Sequence, residues 1–276
     1  MAESILSVEA LTVSFSGFTV LDNLDFSLEQ GELRFIIGPN GAGKTTLLDL
    51  ITGKTKPDSG NIFFNGGTDL TKRQEHDLVR LGIGRKFQTP SVFTSLTVYE
   101  NLEVSIGFRT RLGGLFRSAG KEDAEWIQRT LEQVRLAERS DVPAGELSHG
   151  EKQWLEIGML LAQEPKLLLL DEPVAGMTHR ERMLTGELLQ AIGQDRTVVV
   201  VEHDMGFVRQ FAQKVTVLHQ GKVLSEGSIE IVASDQKVIR AYLGRSRSLQ
   251  GGESNSRLDR QTASAGSTQG GAQDGL

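Results

Sequence analysis

The sequence predicts an α/β fold with a mostly parallel core, an antiparallel β subdomain towards its N-terminus and a helical insert in its middle. Three observations carry this prediction. Residues 34–37, 167–170 and 197–201 are short runs, apolar almost throughout, as central parallel strands buried on both faces are. Residues 7–15, 18–28 and 61–64 alternate apolar with polar side chains and are joined by turn signals, the pattern of half-solvated antiparallel strands. Between residues 96 and 162 the apolar positions take up helical spacing.

In chain order, the first two runs make the antiparallel flank. The strand at 32–37 opens the parallel core and leads through a glycine-rich turn into the helix-like residues 47–51. The run at 61–64 returns to the flank, the helical insert follows, and strands at 166–170, 197–202 and 215–219 complete the core. Beyond residue 244 the character changes. Residues 245–276 hold no aromatic side chain, no Ile and no Val, and are rich in Ser, Gly and Gln. Such a stretch cannot bury enough apolar surface to offset its ordering entropy, so a disordered low-complexity tail is expected there. The expected division is one folded unit over 1–244, its core at about 1–87 and 163–244 and its helical subdomain at about 88–162.

Composition narrows the chemistry. The chain of 276 residues has no cysteine, which excludes disulfides, thiol nucleophiles and cysteine-held zinc or iron–sulfur clusters within it. A net charge of −6 argues against sequence-independent nucleic-acid binding as the main role. No run approaches the roughly 18 apolar residues of a membrane-spanning helix, and the start lacks the positive region of a signal peptide. A soluble, cytoplasmic chain that meets a membrane through a partner is the expectation.

The chemistry is concentrated in a few places. After the strand ending at Ile37 come Gly38, Pro39, Asn40, Gly41, Ala42, Gly43, Lys44, Thr45 and Thr46, a match to the G-x-x-x-x-G-K-[ST] phosphate loop. Glycines let the backbone curl until successive N–H groups face phosphate oxygens, and the following helix adds the positive end of its dipole. Lys44 is expected to reach the β- and γ-phosphates, and the Thr45 hydroxyl to ligate Mg²⁺. The strand at 166–170 ends in Asp171 and Glu172, which places one carboxylate for the metal at the C-terminal edge of the sheet. Glu172, one residue on, is in place to orient and deprotonate a water attacking the γ-phosphate. Read without the phosphate loop, Asp-Glu-Pro is equally a simple turn.

The order of phosphate loop, Gln88 within Gly84-Arg-Lys-Phe-Gln-Thr89, Leu147-Ser-His-Gly-Glu151, Asp171-Glu172 and His203 within Val201-Glu-His-Asp204 resembles an ABC-type ATPase over about residues 5–244. The resemblance implies a P-loop NTPase of the ABC ATPase fold, with a RecA-like core and an α-helical signature subdomain. It implies ATP and Mg²⁺ as cofactors and two ATPase domains closing head to tail. Each ATP would then lie between one phosphate loop and the partner's signature residues, Ser148, His149, Gly150 and Glu151. Gln88 would sense the metal and the attacking water, and His203 would contact the γ-phosphate. Phe15 would stack on adenine, although by position alone it is also a candidate core residue.

Two departures from the family pattern stand out. His149 and Glu151 replace the usual Gly and Gln of Leu-Ser-Gly-Gly-Gln, and Val174-Ala-Gly-Met-Thr178 replaces the usual Ser-Ala-Leu-Asp, so the Asp that crosses the dimer is missing. His149 either adds a donor to the composite site or turns its side chain elsewhere. Residues 143–162, 172–178 and 84–90 resemble one of the two ATP-binding subunits of urea importers, within the branched-chain amino-acid transporter group. Arg109, Arg111 and Arg117 fit that group's longer basic loop and equally a solvated one. The implied role is to energise uptake of urea or short-chain amides, with a branched-chain amino-acid importer as the alternative and a soluble, permease-free ABC ATPase as the third possibility. The implied partners are a second ATPase subunit, two transmembrane permeases and, through them, a periplasmic substrate-binding protein. The implied place is the cytoplasmic face of a bacterial inner membrane, with no nucleic acid involved.

Overall fold

The computed structural model describes residues 4–86, 91–107 and 121–241. In order these form β1 (Ser4–Phe15), β2 (Phe18–Glu29), β3 (Leu33–Ile37), α1 (Lys44–Ile51), β4 (Ser59–Phe64), β5 (Thr68–Asp69), α2 (Glu75–Leu81) and β6 (Ile83–Lys86). There follow α3 (Val98–Gly107), α4 (Lys121–Gln133), α5 (His149–Leu161), β7 (Leu167–Asp171), α6 (His179–Asp195), β8 (Thr197–Val201), α7 (Met205–Phe211), β9 (Lys214–His219), β10 (Lys222–Gly227) and α8 (Ile229–Ser234).

Six strands make the central sheet in the order β10-β9-β3-β8-β7-β6, parallel except for the β9–β10 hairpin at one edge. All five residues of β3, β7 and β8 are buried, as the apolar runs predict. Four antiparallel strands, β2-β1-β4-β5, form the flank. Two hydrophobic clusters cover the two faces of the central sheet. Phe35, Leu168, Leu170, Val198 and Val200 face α5, α6 and α7, whereas Ile36, Leu167, Leu169, Val199 and Val201 face α1 and the flank. Alternation of side chains along each strand produces that division.

In the insert, α5 packs on α3 and α4, and Gly158 lets the helix approach closely: a Cβ there would lie 3.3 Å from both Leu102 and Val134. The indole of Trp154 donates to Thr185 Oγ1 at 2.8 Å and ties α5 to α6.

Three strands, β6, β10 and the two-residue β5, are not among the elements that the sequence predicts. In β6 the run Ile-Gly-Arg-Lys carries no apolar alternation, yet Lys86 is fully buried. Arg34, inside an otherwise apolar strand, is also fully buried. Its Nε and Nη1 pair with Glu32, Glu226 and Thr216, and the guanidinium lies over the ring of Phe26. Gln88, the three basic-loop arginines and residues 245–276 lie outside the described residues.

Candidate functional site

The glycine-rich turn joins β3 to α1 at the C-terminal edge of the sheet. Its conformation belongs to glycine: Gly43 has φ 101° and Gly38 φ 155°, and a Cβ on Gly38 would lie 2.2 Å from the backbone oxygen of Leu218 on β9. The β9–β10 turn supports the loop from below, Gly221 N–H donating to the Ala42 carbonyl at 3.2 Å. Lys44 folds back so that Nζ donates to the carbonyls of Gly38 (2.8 Å) and Pro39 (3.2 Å). The ammonium is therefore held over the concave side of the loop, ahead of the first amides of α1.

Asp171 ends β7 with its carboxylate buried and hydrogen-bonded to Thr45. Burial pushes its pKa up, opposed by the Arg85 guanidinium 3.9 Å away and by the Thr45 hydroxyl. Arg85 is fixed in turn by Asp49 at 2.6 Å and Thr52 at 3.0 Å. The Oδ1 of Asp171 is buried and has no hydrogen-bond partner. Such an atom carries a desolvation cost unless something meets it.

Glu172 follows with φ 48°, a left-handed conformation uncommon outside glycine, and its N–H is held by the Val201 carbonyl at 2.9 Å. This kink turns the side chain so that Oε1 lies 3.4 Å from Nδ1 of the exposed His203. Beneath them sits Glu202, 1% exposed, whose two oxygens accept from Val174 N–H (3.3 Å) and His203 N–H (3.1 Å). Burial raises its pKa while these backbone donors oppose the shift. Glu202 thus holds the turns after β7 and β8 together. The structure brings Lys44, Thr45, Asp171, Glu172 and His203 to one edge of one sheet, the place where doubly wound folds bind ligands.

Comparison with known proteins agrees with this geometry. The family model for ABC transporters matches residues 21–175. The high-affinity branched-chain amino acid transport ATP-binding protein BraF of Pseudomonas aeruginosa is 34% identical over 257 residues, covering 88% of this chain and 99% of its own. LivG of Escherichia coli K12, a protein of the same description, is 34% identical over 254 residues with the same two coverages. The chain belongs to the ABC transporter family.

Solved structures place the fold there as well. An ATP-binding cassette of an ABC transporter in its ADP conformation superposes with a TM-score of 0.76 at 33% identity, covering 88% of this chain and 99% of that one. A dimeric cassette in a post-hydrolysis state, bound to ADP and phosphate, gives 0.69 at 25% identity, covering 81% and 98%. This chain is an ABC transporter ATPase. The urea expectation finds no support among these relatives, whose names speak of branched-chain amino acids.

The signature residues of this ABC ATPase begin α5. Ser148 is the N-cap: its Oγ accepts from Glu151 N–H at 3.2 Å while Glu151 Oε2 accepts from Ser148 N–H at 2.8 Å. Glu151 thereby closes a capping box in place of the family's Gln. The His149 ring lies 3.1 Å from the Ala175 carbonyl and 3.3 Å from Gln153, so within the chain it meets the turn after β7. At Gly150 a Cβ would lie 2.3 Å from Glu181 Oε1 of α6. Phe15 closes β1 opposite Phe18 and is 45% exposed, so it is not a core residue.

For Mg²⁺, a hard cation that takes oxygen donors and keeps several waters, the Thr45 hydroxyl and the Asp171 carboxylate are a fitting set, and the orphaned Oδ1 of Asp171 is the observation that favours it. Among the described residues no cluster of three or more His, Cys, Asp or Glu gathers for a metal. Sequence reasoning missed Arg85 and Glu202. Glu202 carried a signal, a carboxylate ending a fully apolar strand; Arg85 carried none.

Proposed function

We propose that the chain is the ATP-hydrolysing subunit of an importer in the branched-chain amino-acid group, working as a head-to-tail dimer with an identical or a second ATPase. The reading rests above all on the Glu172–His203 pair, 3.4 Å apart and kinked into place beside the Thr45–Asp171 pair. In it, the loop from Gly38 to Thr46 cradles the phosphates, Lys44 leaves its loop carbonyls for the β- and γ-phosphates, and the exposed Phe15 stacks on adenine. Glu172 orients the attacking water and takes its proton, while His203 holds the γ-phosphate side of that water. Thr45, Asp171 and Gln88 would hold Mg²⁺, which would supply neutralisation of phosphate charge. Ser148 and Gly150, at the start of α5, serve the partner's ATP, with the helix dipole favouring its anionic oxygens.

The same proposal assigns residues 1–244 to the ATPase, with 88–162 as the part that meets the permeases on the cytoplasmic face. No helix among the described residues is long and apolar enough to cross a membrane, so the permeases hold the chain there. Cargo is recognised by other subunits, and the relatives' names favour branched-chain amino acids over urea. Uptake of labelled leucine and labelled urea into a strain lacking this chain tests the cargo. Leucine uptake should fall and return with the wild-type chain; loss of urea uptake with leucine uptake intact would reverse the assignment.

A further inference from the structure

Lys86 is fully buried at the end of β6, where it pairs with Leu170 of β7, the residue before Asp171. Its Nζ lies 3.5 Å from Oε2 of Glu156, itself 6% exposed and two turns along the helix that Ser148 caps. Glu156 Oε1 accepts from Ser91 N–H at 3.3 Å. One carboxylate therefore ties together the edge strand of the sheet, the approach to α3 and the signature helix. The Lys86 charge also acts on the buried carboxylates of Asp171 and Glu202.

Burial lowers the pKa of Lys86 and raises that of Glu156, and their mutual attraction opposes both shifts. Desolvating two charges is costly, and apolar replacements of similar volume are often neutral or stabilising in such places. Stability alone is a poor account of the pair. What it supplies is a fixed vector between a strand end and a helix, at a point where both lead to functional groups: β7 to Asp171 and Glu172, α5 to Ser148 and Gly150.

We propose that Lys86 and Glu156 are positioning residues for ATP hydrolysis, a buried clamp that holds the signature helix at a set distance from the sheet edge carrying Asp171 and Glu172, without touching nucleotide. The proposal rests on the roles assigned to those residues above. Misplacement of catalytic groups by about 1 Å is enough to slow turnover by about 10²-fold, so the clamp should act on kcat and leave ground-state binding of ATP nearly unchanged.

The test is ATP hydrolysis by the assembled complex carrying Lys86→Met with Glu156→Leu, apolar replacements that fill the same space. The expected result is a Tm close to wild type, a KM for ATP within about twofold and a kcat lower by about tenfold. Wild-type kcat in this variant would overturn the proposal. Should the double variant fail to fold, Glu156→Gln decides, because it keeps an oxygen for Ser91 and loses the charge facing Lys86. Reduced kcat at unchanged KM supports the clamp, and unchanged kcat refutes it. Glu172→Gln is measured in parallel: normal turnover there would reject the assigned base, whereas the clamp is judged against wild type alone.

Discussion

At the scale of single residues, Glu172 has the most exacting position. Its left-handed backbone would suit glycine better, yet the fold keeps a carboxylate there, fixed by the Val201 carbonyl and facing His203. Removing the base while keeping the shape should slow hydrolysis without weakening binding. Glu172→Gln is expected to lower kcat by about 10²-fold or more, with ATP still bound; phosphate release and equilibrium nucleotide binding measure the two separately. Lys44→Ala should show the other pattern, loss of tight ATP binding, because the ammonium held over the loop is its mobile positive charge. These residues were legible because strand, loop and chemistry coincide in a short stretch of chain. The Lys86–Glu156 pair was not, and of Glu202 only its place at the end of an apolar strand was. Glu202 bonds the amide of its neighbour His203 and that of Val174 in another turn, Lys86 meets a side chain 70 positions away, and no local pattern encodes the distant partners.

At the scale of elements, the apolar strands and the helical character of residues 96–162 follow from periodicity, and the exceptions have physical causes. β6 escaped because its buried side chains include Lys86 and Arg85, whose charges are neutralised by tertiary partners rather than avoided. β10 is only half-buried and pairs on one side, so its alternation is weak. Short helices depend on their caps. Asp204 accepts from Gly206 N–H (2.9 Å) and Phe207 N–H (3.1 Å) at the start of α7, and these bonds, with Arg182, hold its pKa below the ordinary aspartate value. Asp204→Ala should cost about 1 kcal/mol in urea unfolding at neutral pH. A carboxylate with a depressed folded pKa contributes above its unfolded value and loses that contribution as pH falls through the folded one. The gap between wild type and Asp204→Ala should therefore be constant near neutrality and shrink below the ordinary aspartate pKa; a gap that widens on acidification would show that the charge is not what the cap supplies. The same helix presses Phe211 onto α6 at Gly186, where a Cβ would lie 2.3 Å from the ring. Gly186→Ala should destabilise by about 1–3 kcal/mol, read as a lower urea midpoint at unchanged slope, since the ring must move or leave.

At the scale of the whole molecule, the phosphate edge and the signature edge are built on different parts of one chain. Lys44, Thr45, Asp171, Glu172 and His203 gather at the C-terminal edge of the central sheet, while Ser148 begins a helix of the insert and spends its hydroxyl on its own cap. His149 is turned to the Ala175 carbonyl, so the signature rests against the turn where other members carry the crossing Asp. A head-to-tail dimer lets the second edge complete the first on another molecule, and the γ-phosphate is the group both would hold. Dimerisation should then depend on intact ATP and on the metal that neutralises it. Glu172→Gln, alone or mixed with a second ATPase subunit of its transporter, should elute as a dimer from a sizing column in ATP and Mg²⁺ and return to monomer when EDTA removes the metal. Lys44→Ala should stay monomeric in both conditions. ADP should not replace ATP, because it lacks the phosphate that bridges the two edges. A Glu172→Gln dimer that forms equally with ADP would mean that contacts other than the shared γ-phosphate hold the pair, and the head-to-tail assignment would fall with it; one that persists in EDTA would show that the metal is not needed to hold it.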